Sequence, residues 1–227
     1  MPVASHTGPA TTGKATTART TTGERILDAA KVSFGSRGYD ATSLDALAAG
    51  LGLRKQTILY WYPSKEALLT AAVDRTASDL AEALERALAR AGPGWPRVEA
   101  LVKSVFRLSV RRPELLGVVR EVSRLGPPAS TQLLQALEPL MERATDFLRT
   151  EMAAGRMGER DPRLVLLAAY SAVLGMATEV EVLRALGLEL TARELIRRRN
   201  ELLSFLRSAL LLSPPSGRGV ALARSRP

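Results

Sequence analysis

The chain has 227 residues, with 32 Lys or Arg against 23 Asp or Glu, one histidine and no cysteine. That inventory excludes disulfides, thiolate metal sites and a cysteine nucleophile, and His6, alone near the N-terminus, leaves no Ser-His-Asp triad. No apolar run approaches the roughly 18 residues of a membrane span, and the N-terminus lacks a signal-like apolar core, so a soluble, cytoplasmic protein with no membrane partner is expected.

Residues 1–20 are rich in Thr, Gly and Ala, nearly free of large apolar side chains, and predict a disordered arm. Thr21 and Glu24 form a capping box that starts the first helix, with Ile26, Ala30 and Phe34 as its core stripe and Gly38 suited to its exit. The next segment carries Leu44, Leu47, Ala48 and Leu51 at i, i+3, i+4 and i+7, which predicts a short helix with one apolar face. Thr42 is its expected cap, with Asp45 in the capping-box position. Ala49, Gly50 and Gly52 keep side-chain bulk low, so that two helices can cross and the chain can turn. A second short helix opens with Arg54, Lys55, Gln56 and Thr57 and ends in Tyr60, Trp61 and Tyr62 before Pro63.

Within that helix only Ile58 and Tyr62 read as core positions. Cationic and amide donors at its N-terminal end, and large aromatics left to solvent, suit a recognition helix in a DNA major groove better than a packing hairpin. Residues 21–75 are therefore expected to form a three-helix, helix-turn-helix domain that binds double-stranded DNA. The net charge of +9 agrees without proving it. Glu24 to Arg75 carries seven basic and six acidic side chains, and the surplus is spread over the tails and the rest of the chain.

Ser64 caps a fourth helix predicted to reach about Ala91, where Gly92-Pro93-Gly94-Trp95-Pro96 marks the best internal boundary. Helices are then predicted over 98–111, with Leu101, Val105 and Leu108 on one face, and from Pro113 to the Pro127-Pro128 loop. Another spans Ser130 to Met152, with a kink or interruption at Pro139. Asp161-Pro162 begins a strongly apolar helix to about Leu186, and Thr191 with Glu194 caps a last one to about Leu212. Period-two alternation is absent, so the fold class is all-α. Residues 76–212 are expected to form a helical effector-binding and dimerisation domain, followed by a disordered basic tail, 213–227.

The penultimate and last helices carry more apolar surface than one core readily covers. Leu166, Tyr170, Val173, Leu174, Leu195, Leu202 and Leu206 are the expected homodimer interface. Phe106, Met141, Phe147, Tyr170 and Met176 are candidate lining for a small-molecule site, and the few polar residues on inward faces argue for a mostly apolar effector. No catalytic residue, metal ligand or cofactor is expected. Glu179 and Glu181, two apart, point to different sides of a helix, and no Gly-rich phosphate loop is present.

The run from Thr42 to Lys65, with the lead-in Glu24 to Ser43 and the continuation Pro63 to Asp74, resembles the TetR family of bacterial transcriptional repressors. Its pattern is Thr-x-x-hydrophobic-Ala, a small-residue turn with Gly, and an aromatic-x-x-Lys ending. The likeness covers about fifty residues. It implies a homodimer joined through the last two helices, a palindromic operator read by two helices about 34–36 Å apart, and release by an effector. A DNA-binding activator or architectural protein without an effector is the alternative. The resemblance further implies phosphate contacts at Thr42, Thr57 and Lys65, beside base reading by Lys55, Gln56 and Tyr60 with Arg54 and Trp61. Two departures stand out: the family tyrosine aligns with Leu59, with Tyr60 one residue on, and the usual Ser or Thr cap aligns with Arg54.

Overall fold

A computed structural model of the chain describes residues 21–211. The expected arm 1–20 and tail 213–227, and Leu212 at the predicted end of the last helix, lie outside the described residues. Ten helices fill the described part: α1 Thr22–Arg37, α2 Leu44–Leu51, α3 Lys55–Trp61, α4 Lys65–Ala89, α5 Trp95–Arg111, α6 Pro113–Leu125, α7 Ala129–Ala153, α8 Pro162–Thr178, α9 Val180–Ala185 and α10 Ala192–Leu210. The only extended pairing among them is an isolated antiparallel bridge between Met157 and Leu211. The fold is all-α.

Local chemistry sets most boundaries. The Thr21–Glu24 capping box forms on both sides, Ser64 accepts from Ala67 N at 3.1 Å, and Thr191 accepts from Glu194 N at 3.2 Å. Gly52, at φ 67°, closes α2 in the left-handed region. Gly50, by contrast, has open space where a Cβ would stand, so no close crossing occurs there.

Three expectations are corrected. Ser43, not Thr42, caps α2 by accepting from Ala46 N at 3.0 Å. Pro139 does not break α7: it lies exposed inside one continuous helix, and Met141 two residues on is itself exposed. The apolar helix expected to run to Leu186 stops at Thr178. Arg120 of α6 donates to the Thr178 carbonyl at 3.4 Å and lies 3.3 Å from the Glu179 carboxylate, which ends α8 and starts α9. That contact joins residues 58 apart in sequence, out of reach of any local pattern.

The largest core runs from α1, α2 and α3 through α4 and α6 into α7, with Ile26, Phe34, Ile58, Leu68, Val73, Leu115 and Val118 fully buried. The helices α1 to α3 and the helices behind them thus share one hydrophobic core. A second cluster, Val102 and Phe106 of α5 with Leu202 and Leu206 of α10, holds the far end together with the inward side of α8. Arg198, buried on α10, donates to the Met176 carbonyl at 3.0 Å, which places a cation on the last turn of α8 where orphan carbonyls and the helix dipole favour one.

Candidate nucleic-acid interface

α3 is held by its inner side alone. Ile58 is fully buried against the main core, and Tyr62, just past the helix, donates its hydroxyl to the Gly23 carbonyl at 3.1 Å. The outer side is left to solvent. Arg54, Lys55, Gln56 and Tyr60 are exposed, and Tyr60 keeps 82% of its surface free. No side chain caps the N-terminus of α3, so its first amides and the positive end of its dipole also face outward.

The two aromatics differ in what they touch. Tyr60 forms a T-shaped pair with Trp61, centroids 5.8 Å apart, and is otherwise largely open to solvent. Trp61 also lies on the start of α1: a Cβ at Gly23 would fall 2.6 Å from its ring. Trp61 is therefore half structural, a wedge between α1 and α3, while Tyr60 stands free.

The cations are positioned by side chains outside α3. Lys55 Nζ donates to Asp45 Oδ2 of α2 at 2.8 Å, a pair that is exposed on both sides. Lys65 Nζ stands 4.2 Å above the Tyr39 ring, a cation–π contact. Tyr39 is itself held at two points, its hydroxyl donating to Glu66 Oε1 at 2.9 Å and its amide to Glu121 Oε1 of α6 at 2.6 Å. Burial first, then the Glu66 carboxylate, pushes the Tyr39 hydroxyl up to about 12. It stays protonated and keeps donating at any physiological pH. Glu121 is ionised in turn: hydrogen bonds from Arg124 hold its carboxyl below the usual range. The Gly38-Tyr39 exit of α1 was the sequence signal for this hub, but its partners lie in α4 and α6.

Thr42 leaves the set of candidate contacts. Its side chain is buried, with Oγ1 donating to the Gly38 carbonyl at 2.8 Å and pairing with Ser33 Oγ at 2.9 Å. A β-branched hydroxyl at the tight exit of α1 is better used on that turn than on solvent. Thr57 is half-buried on the first turn of α3, and Leu59, where the family tyrosine aligns, is half-buried on the same helix.

A second set of charges ties this unit to the domain behind it. Lys31 of α1 is 1% exposed, and its ammonium meets Asp79 Oδ2 of α4 at 2.9 Å. Asp79 also accepts from Arg112 at the start of α6 at 2.9 Å and from Arg75 at 3.3 Å. Burial works against the Asp79 charge, but the Lys31 and Arg112 hydrogen bonds outweigh it and hold the carboxyl below its ordinary range.

The five candidate lining residues do not come together. Phe106 and Met176 belong to the α5–α8–α10 cluster, Phe147 packs on a separate one, and Met141 and Tyr170 face solvent. The expected dimer set is also redistributed. Leu202 and Leu206 are buried against α5 inside the chain, and Leu166, Val173, Leu174 and Leu195 pack on its cores, so of the seven only Tyr170 is counted among the exposed large apolar residues. The side of α8 left open carries Leu164 and Leu167, 65% and 58% exposed, and Phe205 of α10 is 64% exposed.

No helix among the described residues is long and apolar enough to cross a membrane, and no group of three or more potential ligands for a metal ion occurs among them. Residues 26–72 match the family model described as bacterial regulatory proteins, tetR family. No curated protein matches the chain in sequence. Among solved structures, the fold is similar to a transcriptional regulator from Saccharomonospora viridis in complex with choline, with 20% identity, TM-score 0.70, and 84% of this chain and 98% of that one covered. It is similar to a TetR transcriptional regulator from Chloroflexus aurantiacus at 22% identity and TM-score 0.68, covering 84% and 96%. It is also similar to the ketosteroid transcriptional regulator KstR2 of Mycobacterium tuberculosis at 15% identity and TM-score 0.65, covering 85% and 96%.

Proposed function

We propose, from the premise that this chain belongs to the tetR family of bacterial regulatory proteins, that it binds a palindromic operator as a homodimer, blocks transcription there, and is released by a small, mostly apolar effector. The observation that carries the reading is the free outer side of α3, where Arg54, Lys55, Gln56 and Tyr60 are exposed over a buried Ile58. Lys55, Gln56 and Tyr60 read bases, with Arg54 and Trp61 assisting. Thr57 and Lys65 hold phosphates, which fixes register without specifying sequence.

The dimer forms through the open side of α8, where Leu164 and Leu167 stand beside Tyr170, and through Phe205 of α10. A two-fold interface of this kind sets two α3 helices at the spacing of successive major grooves. Responsiveness to a small molecule is supported by the choline complex and the ketosteroid regulator among the similar structures. The scatter of Phe106, Met141, Phe147, Tyr170 and Met176 is the observation that favours the second reading, an activator or architectural protein without an effector.

Fluorescence anisotropy against labelled DNA from immediately upstream of its own gene, with excess unrelated DNA present, tests the reading. Competitor-resistant binding at two chains per duplex is the expected result. Absence of binding even at low salt, where phosphate contacts alone would register, removes it.

A further inference from the structure

Between the C-terminal half of α4 and α5 lies a cleft of about 520 Å³, open to solvent. The volume falls within the roughly 300–1,000 Å³ of small-molecule sites. Its floor is made of small side chains, Ala83 and Ala87 of α4 and Ala100 of α5. Two pairs of cations border it, Arg86 and Arg90 on α4 and Lys103 and Arg107 on α5, against a single carboxylate, Glu99. Each pair is spaced i, i+4, so both members of a pair project from the same side of their helix.

The carboxylates near the cleft are already committed. Glu99 accepts from Lys103 at 2.7 Å and from Trp95 Nε1 at 2.9 Å, and Glu82 is paired with Arg86. Arg90 and Arg107 have no carboxylate within ion-pair distance among the described residues. Arg90 sits at the C-cap of α4, where the helix dipole favours a cation. Arg107 lies on α5 between Lys103 and Arg111 with no such compensation. Like charges one turn apart repel, and a guanidinium held beside an apolar floor suits a carboxylate or phosphate on an apolar body.

We propose that this cleft binds a small molecule with an anionic group on an apolar body of about naphthalene size, and that its occupation weakens DNA binding. The inference rests on the effector-responsive reading above and gives that effector a site and a charge. The apolar body lies over Ala83, Ala87 and Ala100, while Arg107 takes the anion; Ser104 Oγ donating to the Ala83 carbonyl sets Arg107 at one end of the cleft and Arg90 at the other. The route to DNA is α4 itself. The helix that lines the cleft begins at Lys65 and Glu66 beside α3 and carries Asp79, the carboxylate that ties α1 to α6. A ligand that parts α4 from α5 shifts the seat of the DNA-reading unit.

The test uses 2-naphthoate and its uncharged counterpart 2-naphthamide, measured by isothermal titration calorimetry on the full chain and on the Arg107→Gln variant, with thermal unfolding to show that the variant folds. The acid should bind about tenfold more tightly than the amide, less so as salt rises, and that advantage should vanish in the variant. Equal affinity for acid and amide, acid binding unchanged in the folded variant, or no binding at millimolar concentration overturns the site. Saturating naphthoate should lower affinity for the DNA that the ligand-free protein binds by about 5–150-fold. Arginine-dependent binding with unchanged DNA affinity upholds the site and overturns the release mechanism. DNA binding by the ligand-free protein is read independently, so loss of the repressor reading and loss of the cleft are separate results.

Discussion

A Cβ placed on Gly117 of α6 would stand 2.4 Å from the carbonyl oxygen of Gly35 on α1, so the two helices cross backbone against backbone. This crossing joins the N-terminal helices to the helices behind them. The Lys31–Asp79–Arg112 charges and the Tyr39–Glu121 hydrogen bond link the same parts of the chain.

Gly117→Ala should therefore destabilise the fold, although alanine is the better helix former by about 1 kcal/mol. The neighbouring atoms are backbone and cannot swing aside, so overpacking of about 1–3 kcal/mol is expected to win. Gly50→Ala meets nothing within 4 Å and should be neutral or slightly stabilising. Thermal unfolding distinguishes them, at about 2–4 °C per kcal/mol for a chain of this size.

The buried charges predict the acid limb of stability. A carboxyl held below its ordinary value stabilises the fold at pH above that value and loses the contribution as pH falls through the lower folded one. For Asp79 and Glu121, whose ordinary values are 3.8 and 4.5, stability should be level near neutrality and fall below about those values. Asp79→Asn should flatten part of that fall. It should also cost up to about 3 kcal/mol at neutral pH, because the buried Lys31 loses its closer partner and keeps only the exposed Asp28 carboxylate at 3.6 Å. Lys31→Met should cost less, since Asp79 keeps Arg112 and Arg75. Denaturant unfolding across pH measures both.

Lys55→Ala and Lys65→Ala should weaken DNA binding in different ways. Loss of Lys55 should relax preference at particular base pairs, by about 1–3 kcal/mol at each. Loss of Lys65 should weaken all sequences alike and lower the salt slope by about 1. Asp45→Asn frees Lys55 and removes a negative charge beside the groove, so affinity should rise. Selection from a randomised operator library reads all three, and identical profiles for the two lysine variants would contradict the division of roles.

Tyr60→Ala should leave thermal stability unchanged while lowering DNA affinity, because the Tyr60 side chain is largely open to solvent beyond its T-shaped pair with Trp61. Trp61→Ala should lower both, because its ring also covers Gly23 at the start of α1. Melting temperature and anisotropy on the same samples test the contrast.

On the open side of α8, Leu164→Glu with Leu167→Glu should yield a folded monomer with weakened operator binding. Leu202→Ala should instead destabilise the chain by about 2–5 kcal/mol, since it empties a buried position. Sedimentation velocity with circular dichroism separates loss of assembly from loss of fold.

Helix identity, most caps and the outward polar side of α3 were legible in the sequence because they depend on residues three or four apart. Thr21 with Glu24, Ser64 and Thr191 cap as their spacing demands. The α3 segment reads as polar and aromatic with Ile58 and Tyr62 as core positions; Ile58 is fully buried, and Tyr62, just past the helix, packs partly buried on the same core. Which of two adjacent hydroxyls caps α2 was decided by the exit of α1, which takes Thr42 inward and leaves the cap to Ser43. The end of α8 was decided by Arg120, on another helix.

The sequence by itself determined an all-α chain whose Lys55–Trp61 helix turns cationic, amide and aromatic side chains outward, since a period of 3.6 residues and an apolar stripe are local properties. Only the tertiary structure decided which apolar residues of α8 and α10 stay free. α8 is apolar over more than one side, and the positions of α5 and α10 choose which side is covered, while Phe205 lies outside the single apolar stripe of α10. It likewise decided that the cations of α4 and α5 share one cleft, because side chains from two helices meet only once those helices are packed.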